Sequence, residues 1–454
     1  MKKILRPAFL TLLLVSGAVQ AQELFSELSA GYYEKLFRID GSNTIGAELA
    51  PALVKSWMVS RGAEQVQSVS NGGGNEVRIS GYVPVVSAHI YVDIAAHGSG
   101  TGFKALAQGA TDIAAASRPV KDKEQAAMPA VNLSSAESEH VVGIDGLAII
   151  VHPENPLQQL QVTQIRDLFT GRISNWKELG GLDEPVSVFA RDENSGTWDS
   201  FRHMVLGSAA LREGTPRFES NNDLSDRVSV TPGAVGFVGL ASVRNARAIA
   251  VSAGQAAGLF PEKLTVATED YALSRRLYLY TAGRPANAYV RDFLEFAAHE
   301  GQEQVAEVGF VSQSVTAVKP AYQAQLPDQI RKTTEGAYRL TVNFRFEEGS
   351  ARLDNKAQRD VDRLLEFVSD YPEAEVILLG FGDSRGNETM TQLLSKHRAM
   401  AVSRALRQAA VYPKLVTGYG SELPVADVEG NDGRQKNSRV EVWVRQPHDV
   451  ANLF

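Results

Sequence analysis

The sequence contains no cysteine among its 454 residues, so disulfides, a thiol nucleophile, thiolate metal ligands and a lipid-modified cysteine are all excluded. Long apolar runs are nearly missing: residues 9–15 form one that is too short for a secure membrane span. The 8 histidines are scattered, with no HxxxH pair and no carboxylate cluster at ligand spacing, and no metal site is expected. There is no GxSxG turn and no histidine beside a candidate nucleophile, which leaves a hydrolase acting on phosphate esters without support. Positive charge is in deficit. The formal charge is −7 with no dominant basic stretch, which argues against a nucleic-acid partner.

What is present starts with a targeting signal. Lys2 and Lys3, a short apolar core and Val19-Gln20-Ala21 describe a secretory signal peptide over residues 1–21, cut after Ala21. The mature protein is therefore expected in an exported compartment, most simply a bacterial periplasm. The length suggests about three compact units, and 44% hydrophobic content is ample for buried cores.

Residues 190–197 form the most informative stretch. An apolar run with Val186, Val188 and Phe189 reads as a short strand, and residues 198–202 read as a helix opening, so Ser195, Gly196 and Thr197 fall where that helix begins. Helix N-termini present unpaired N–H groups and a positive dipole end. The two hydroxyls add donors, Gly196 permits close backbone approach, and Arg191 supplies a two-pronged cation suited to an oxyanion. These residues point to a small tetrahedral oxyanion. An N-capped helix with a surface arginine reads from them equally well.

Two more turns of this kind precede helices. Gly41-Ser42-Asn43-Thr44 follows a strand and leads into Leu49, Leu53, Val54, Trp57 and Met58, and Gly98-Ser99-Gly100-Thr101-Gly102 leads into Phe103 to Leu106. The second is no P-loop, because Phe103 stands where Lys is required, and its glycines miss the GxGxxG spacing, so no nucleotide cofactor is expected. Between the turns, residues 66–96 alternate as a β-hairpin running into a core strand. Residues 22–36 have helical spacing and are expected to form a lead-in, and residues 146–151 read as a fully buried strand of a parallel sheet. Strands alternating with helices imply an α/β protein with two doubly wound lobes and a cleft between them. Residues 319–337 are polar, with Lys319-Pro320 and Leu326-Pro327, and read as a linker. Beyond it Leu340, Val342, Phe344 and Phe346 alternate as a strand, residues 357–368 and 391–406 read as helices, and Val440, Val442 and Val444 close a smaller domain.

Residues 37–318 resemble the PstS-type phosphate-binding proteins, periplasmic receptors of ABC importers. The resemblance rests on the turns at 41–44 and 98–102, on Ala116-Ser117-Arg118, on Asn175-Trp176 and on residues 191–197. It implies a two-lobed periplasmic binding protein fold, type II-like, with a hinge near residues 234–237. It also implies inorganic phosphate, or a similar tetrahedral oxyanion, held by Ser42, Thr44, Ser99, Thr101, Ser117, Arg118, Arg191, Ser195, Gly196 and Thr197, and an ABC permease as partner. In some members an Asp directly after the Ala-Ser pair accepts the proton of hydrogen phosphate; here Arg118 holds that place.

Residues 338–447 are similar to the OmpA-type peptidoglycan-binding domains, small α+β modules. Gly380-Phe381-Gly382-Asp383 stands where that family has Gly-His-Thr-Asp, Leu394-Ser395-Lys396-His397-Arg398-Ala399 fits its Leu-Ser-x-x-Arg-Ala helix, and Asn437-Ser438-Arg439-Val440-Glu441 completes the match. The resemblance implies that Asp383, Thr391, Arg398 and Arg439 bind peptidoglycan. Diaminopimelate in the stem peptide carries an ammonium beside a carboxylate, so Asp383 and Arg398 make a fitting pair. Phe381, Gly382 and Thr391 depart from the family's His, Thr and Asn. The expectation is a periplasmic phosphate receptor held at the cell wall, against the rival of a structural or adhesive envelope protein.

Overall fold

The computed structural model describes residues 24–446 apart from 27, 29–30, 72–74, 194, 348–349, 383–386 and 428–430; the expected signal peptide lies outside the described residues. The chain divides into two compact units. One gathers the chain up to Gly143 with Asn194–Asp199 and Arg276–Val308, and the other comprises Ile144–Glu193, Ser200–Arg275 and everything from Gly309.

In the first unit β1 (Tyr33–Gly41) lies between two parallel neighbours, β4 (Ala88–Ala96) and β5 (Ile113–Ala116), while β2 (Glu64–Ser70) and β3 (Glu76–Val83) extend the sheet antiparallel on the β4 side. Leu36 and Phe37 are both buried although consecutive, at the point where the register with β4 shifts between Lys35 and Phe37 as in a β-bulge. α1 (Ala50–Ser60) has Pro51 in its first turn, where no N–H is needed, and packs Trp57 against Phe37 at 5.5 Å between ring centroids. The Trp57 indole donates to Asp292 at 2.6 Å, so the ring is buried without an unpaired N–H. α2 (Ser99–Ala107) follows β4 directly. The lead-in differs from the helical expectation: residues 33–36 already belong to β1, because Tyr33 pairs with His89 and Lys35 with Tyr91 on β4.

In the second unit β6 (Glu139–Val151), from Ile144 onward, pairs with β7 (Ala234–Gly239). This pairing is antiparallel, Val151 opposite Val235, which corrects the parallel arrangement inferred from the apolar run. A continuously buried strand reads the same in either direction. The expected hinge is corrected as well: β7 is interior to the second unit, and the chain passes between units at 143/144, 193/194, 199/200, 275/276 and 308/309. The loop at residues 170–181 is fixed by Trp176, whose indole donates to Gly233 O at 2.8 Å.

The C-terminal part of the second unit has a five-stranded sheet in the order β8 (Ala317–Val318), β9 (Ala337–Arg345), β12 (Arg439–Arg445), β10 (Glu375–Gly380), β11 (Leu415–Gly418), where only β10 and β11 are parallel. α3 (Asn355–Asp370) and α4 (Glu388–Gln408) cover one face, burying Leu364, Phe367, Ala399, Val402 and Leu406 against Val342, Phe344 and Val442. Residues 319–337 are folded. Leu326 and Ile330 are buried with Phe381 and Trp443 on the other face of the sheet.

The polar residues of β9 are buried too. Arg339 Nη2 donates to Asp270 Oδ2 at 2.6 Å, Asn343 Nδ2 to Asp270 Oδ1 at 2.9 Å, and Arg345 Nη2 to Thr268 O at 2.8 Å. Asp270 comes from the part of the unit that precedes the C-terminal sheet, so the two parts meet through a buried ionic cluster. Burial pushes its carboxyl pKa up, but the charges of Arg339, Arg439 and Arg345 outweigh that and hold it at about 2.

Candidate functional site

In the first unit three turns come together at the C-terminal end of β1. Gly41 has φ +140°, and a Cβ there would stand 2.1 Å from Ala115 O, so only glycine lets β1 run this close to β5. The chain then turns: Ser42 N donates to Ala115 O at 2.9 Å and Gly46 N to Ser42 O at 2.8 Å. Gly98 N donates to Gly41 O at 2.7 Å, which brings the start of α2 alongside. Gly102 presses on the same strand, since a Cβ there would lie 2.4 Å from Asp40 O. Ser99 Oγ accepts from Ser117 N at 3.2 Å, tying the end of β5 to α2.

Residues 195–197 belong to this unit and close the group. Thr44 Oγ1 donates to Gly196 O at 3.2 Å, and a Cβ on Gly196 would meet Thr44 Cα at 2.4 Å. The structure thus brings Ser42, Thr44, Ser99, Ser117, Ser195, Gly196 and Thr197 into one region. Ser42, Thr44, Ser99, Ser117 and Ser195 are all buried. Ser42 Oγ is shielded from water and meets no hydrogen-bond partner among the described residues. A hydroxyl in that position costs stability unless something supplies a partner. Ser195 Oγ accepts from Thr197 N at 3.1 Å, so this side chain caps the helix it opens. Thr101 is exposed and donates to Gly98 O at 2.8 Å, capping its own turn at the margin of the group.

Arg118 is placed differently from expectation. Its Nη1 and Nη2 donate to Glu124 Oε2 and Oε1 at 2.8 and 2.7 Å, and its guanidinium lies over the Phe103 ring at 5.5 Å. Burial raises the Glu124 pKa, yet the Arg118 hydrogen bond and the Lys121 N–H more than offset it and the net shift is downward. Arg118 is thus engaged by a carboxylate beside the group, with Ser117 between them and the turn.

Arg191 belongs to the second unit. It is buried, and its fork is aimed by two carbonyls: Nε donates to Phe218 O at 3.1 Å and Nη2 to Glu219 O at 2.7 Å. Those carbonyls arrive because Ala190–Arg191 pairs in parallel with Arg217–Phe218. Backbone acceptors leave no mark in the sequence, which is why Phe218 and Glu219 escape a motif search.

In the C-terminal sheet domain Asp383 lies outside the described residues. Thr391 and Arg398 are buried on α4 and face Gly382, where a Cβ would stand 3.4 Å from Thr391 Cγ2 and from Arg398 Nη1. Arg398 Nε also donates to Ser350 O at 3.4 Å. Arg439 is elsewhere. It is 1% exposed, donates from Nε and Nη2 to Glu441 Oε1 at 3.1 and 2.8 Å, and lies over Phe381 at 4.3 Å. This corrects its assignment: the side chain belongs to the buried cluster around Asp270. Phe381 is likewise a core residue in the position of the family's histidine.

This architecture defines a two-module protein, a solute-binding fold joined to a small sheet-and-helix domain, and comparison with known proteins agrees. Residues 85–300 match the PBP superfamily domain and residues 345–438 the OmpA family. The phosphate-binding protein PstS of Bacillus subtilis is 29% identical over 222 residues, 48% of this chain and 70% of that protein. PstS of Borreliella burgdorferi is 26% identical over 224 residues, 48% of this chain and 77% of that one. Among solved structures, a possible phosphate binding protein from Planctomyces limnophilus superposes with a TM-score of 0.50 at 24% identity, over 67% of this chain and 96% of that one, and so shares the fold. The chain therefore carries a region that matches the PBP superfamily domain, similar in sequence to PstS proteins, followed by a region that matches the OmpA family.

Proposed function

We propose that the protein is a periplasmic receptor for inorganic phosphate whose OmpA-family domain holds peptidoglycan through the diaminopimelate of the stem peptide. The observation that carries the reading is the convergence of Ser42, Thr44, Ser99, Ser117 and residues 195–197 at one end of β1, with the Ser42 hydroxyl buried and without a hydrogen-bond partner among the described residues. A tetrahedral oxyanion is acceptor-rich on every side and suits a ring of hydroxyls and amides, and the resemblance to PstS proteins adds Arg191 to the residues expected to bind it. The likeness to PstS proteins supports phosphate as the ligand and a binding role without catalysis. Capture, sensing or delivery to an ABC permease then follow from where the receptor is held.

The test is titration of the mature protein, stripped of bound anion, with phosphate and separately with sulfate. Trp198 directly follows Thr197, so tryptophan fluorescence reports on the site, and calorimetry gives the heats. Saturable micromolar or tighter binding of phosphate is expected. Binding of sulfate alone would change the ligand, and binding of neither would leave a structural or adhesive envelope protein as the better account. Co-sedimentation with purified peptidoglycan, lost in Arg398→Ala, tests the second half.

A further inference from the structure

The helix Gly196–Phe201 is 6 residues long, and its two ends are held by different neighbours. Its first turn belongs to the first unit, where Gly196 lies against Thr44, while Ser200 and Phe201 belong to the second. A helix this short does not hold its own orientation, so whatever grips its far end decides how the 195–197 turn is presented. One grip is apolar. Phe201 is fully buried, stacked on Phe237 with ring centroids 4.0 Å apart and planes 4° from parallel, and 4.5 Å from Phe169. Such burial fixes how deep the helix end sits and says little about its rotation, because the hydrophobic effect is non-directional.

The other grip is directional. Ser200 Oγ, also fully buried, donates to Asp145 Oδ2 at 2.7 Å, and Arg275 donates from Nε to the same oxygen at 3.2 Å and from Nη2 to Ser200 Oγ. The side chains of Asp145 and Arg275 are 8% and 9% exposed. Ser200 lies one helical turn beyond Gly196 and Thr197, so a bond that fixes its side chain also fixes the rotation of the first turn. The three residues come from β6, the short helix and the strand Ser274–Tyr280, and each stands beside a passage between units, at 143/144, 199/200 and 275/276. A buried ion pair is a weak source of stability, and apolar side chains could fill the same space without fixing a direction.

The geometry points to Asp145 as a positioning residue for the anion: through Ser200 it sets the rotation of the helix whose first turn presents Ser195, Gly196 and Thr197, and Arg275 holds its carboxylate in place. The inference rests on the reading of that turn as an anion contact.

Both donors converge on one carboxylate oxygen, so an amide can receive them and a methyl group cannot. Phosphate affinity of the full mature chain is measured by calorimetry in Ser200→Ala, Asp145→Ala and Asp145→Asn, alongside thermal melts. Ser200→Ala and Asp145→Ala are each expected to weaken phosphate binding at least about tenfold, and Asp145→Asn to return it to within about threefold of the native chain. Melting temperature is expected to follow another order. It falls least in Ser200→Ala, which keeps the Asp145–Arg275 pair, and more in both Asp145 variants, which take the carboxylate from Arg275. Affinity that is unchanged in Ser200→Ala, or that falls in step with melting temperature across the three variants, overturns the proposal.

Amide hydrogen exchange in the anion-free chain tests the same link without phosphate. The amides of residues 197–199 are expected to exchange at least about tenfold faster in Ser200→Ala, while those of the helix Asn221–Val230 keep their native rates. Unchanged exchange at 197–199 overturns the proposal. A native chain that binds no phosphate while Ser200→Ala shows this exchange pattern overturns the reading of the ligand and leaves the anchoring by Asp145 intact.

Discussion

Asp270 and Arg339 form a hydrogen-bonded ion pair at 2.6 Å in which the two residues are 1% and 3% exposed, although they come from different modules of the sequence. A pair this deeply buried is costly to assemble and more costly to halve, because the surviving partner keeps its charge without a counterion.

Asp270→Asn leaves Arg339, Arg345 and Arg439 facing an uncharged amide. A loss of about 3–5 kcal/mol in unfolding free energy is expected by denaturant titration. Replacement of both Asp270 and Arg339 by apolar residues of similar volume is expected to recover much of it.

The same carboxyl sets an acid limit. Its pKa is about 2 in the folded chain and ordinarily 3.8, so the folded state binds the proton more weakly than the unfolded state. The resulting stabilisation is fully present above pH 4 or so and is lost as pH falls through about 2, on the order of 2 kcal/mol in all. Thermal unfolding followed from pH 5 to pH 2 is expected to show this loss in the native protein and not in Asp270→Asn.

Ser42→Ala separates a ligand role from a structural one. Removing a buried hydroxyl without a partner is expected to leave stability within about 1 kcal/mol of the native value or to raise it. Phosphate affinity is expected to fall about tenfold, read by tryptophan fluorescence. A parallel fall in stability and affinity would mark Ser42 as packing only.

Gly196→Ala places a methyl group 2.4 Å from Thr44 Cα, a backbone atom that cannot step aside. Overpacking of this kind costs about 1–3 kcal/mol, and separating the 195–197 turn from Thr44 is expected to abolish phosphate binding in a chain that still folds.

Two arginines are expected to part company. Arg191→Ala should cost about 2 kcal/mol or more of phosphate affinity through a lost charge-assisted contact. Arg118→Ala is expected to weaken binding by less than about tenfold and to lower the melting temperature, since it strands the buried Glu124. Calorimetry on both variants with thermal melts makes the comparison.

The turns of the first unit were legible because glycine and hydroxyl residues at strand ends have a local physical meaning, and Gly41 and Gly102 are needed for backbone approach just where the sequence places them. The alternation in β9 was legible on one face only. Leu340, Val342 and Phe344 pack inward as read, but Arg339, Asn343 and Arg345 face no solvent because Thr268 and Asp270 cover them, and Thr341 is taken up by Ser314 and Thr316. A period of two reports which residues share a face and is silent about what a segment some 70 residues away brings to the other. The direction of β6 and the carbonyls that aim Arg191 are invisible for the same reason: each depends on a contact that local pattern does not encode.

The short strand β8 has a consequence of its own. Ala317 and Val318 pair with Leu340 and Arg339, and Thr316 N donates to Thr341 Oγ1 at 2.9 Å, so the connection is stitched into the sheet it leads to. Excising either part at the family boundary would strip Asp270 of its arginines or the arginines of Asp270, so the two parts of the second unit are expected to unfold together rather than survive as separate fragments.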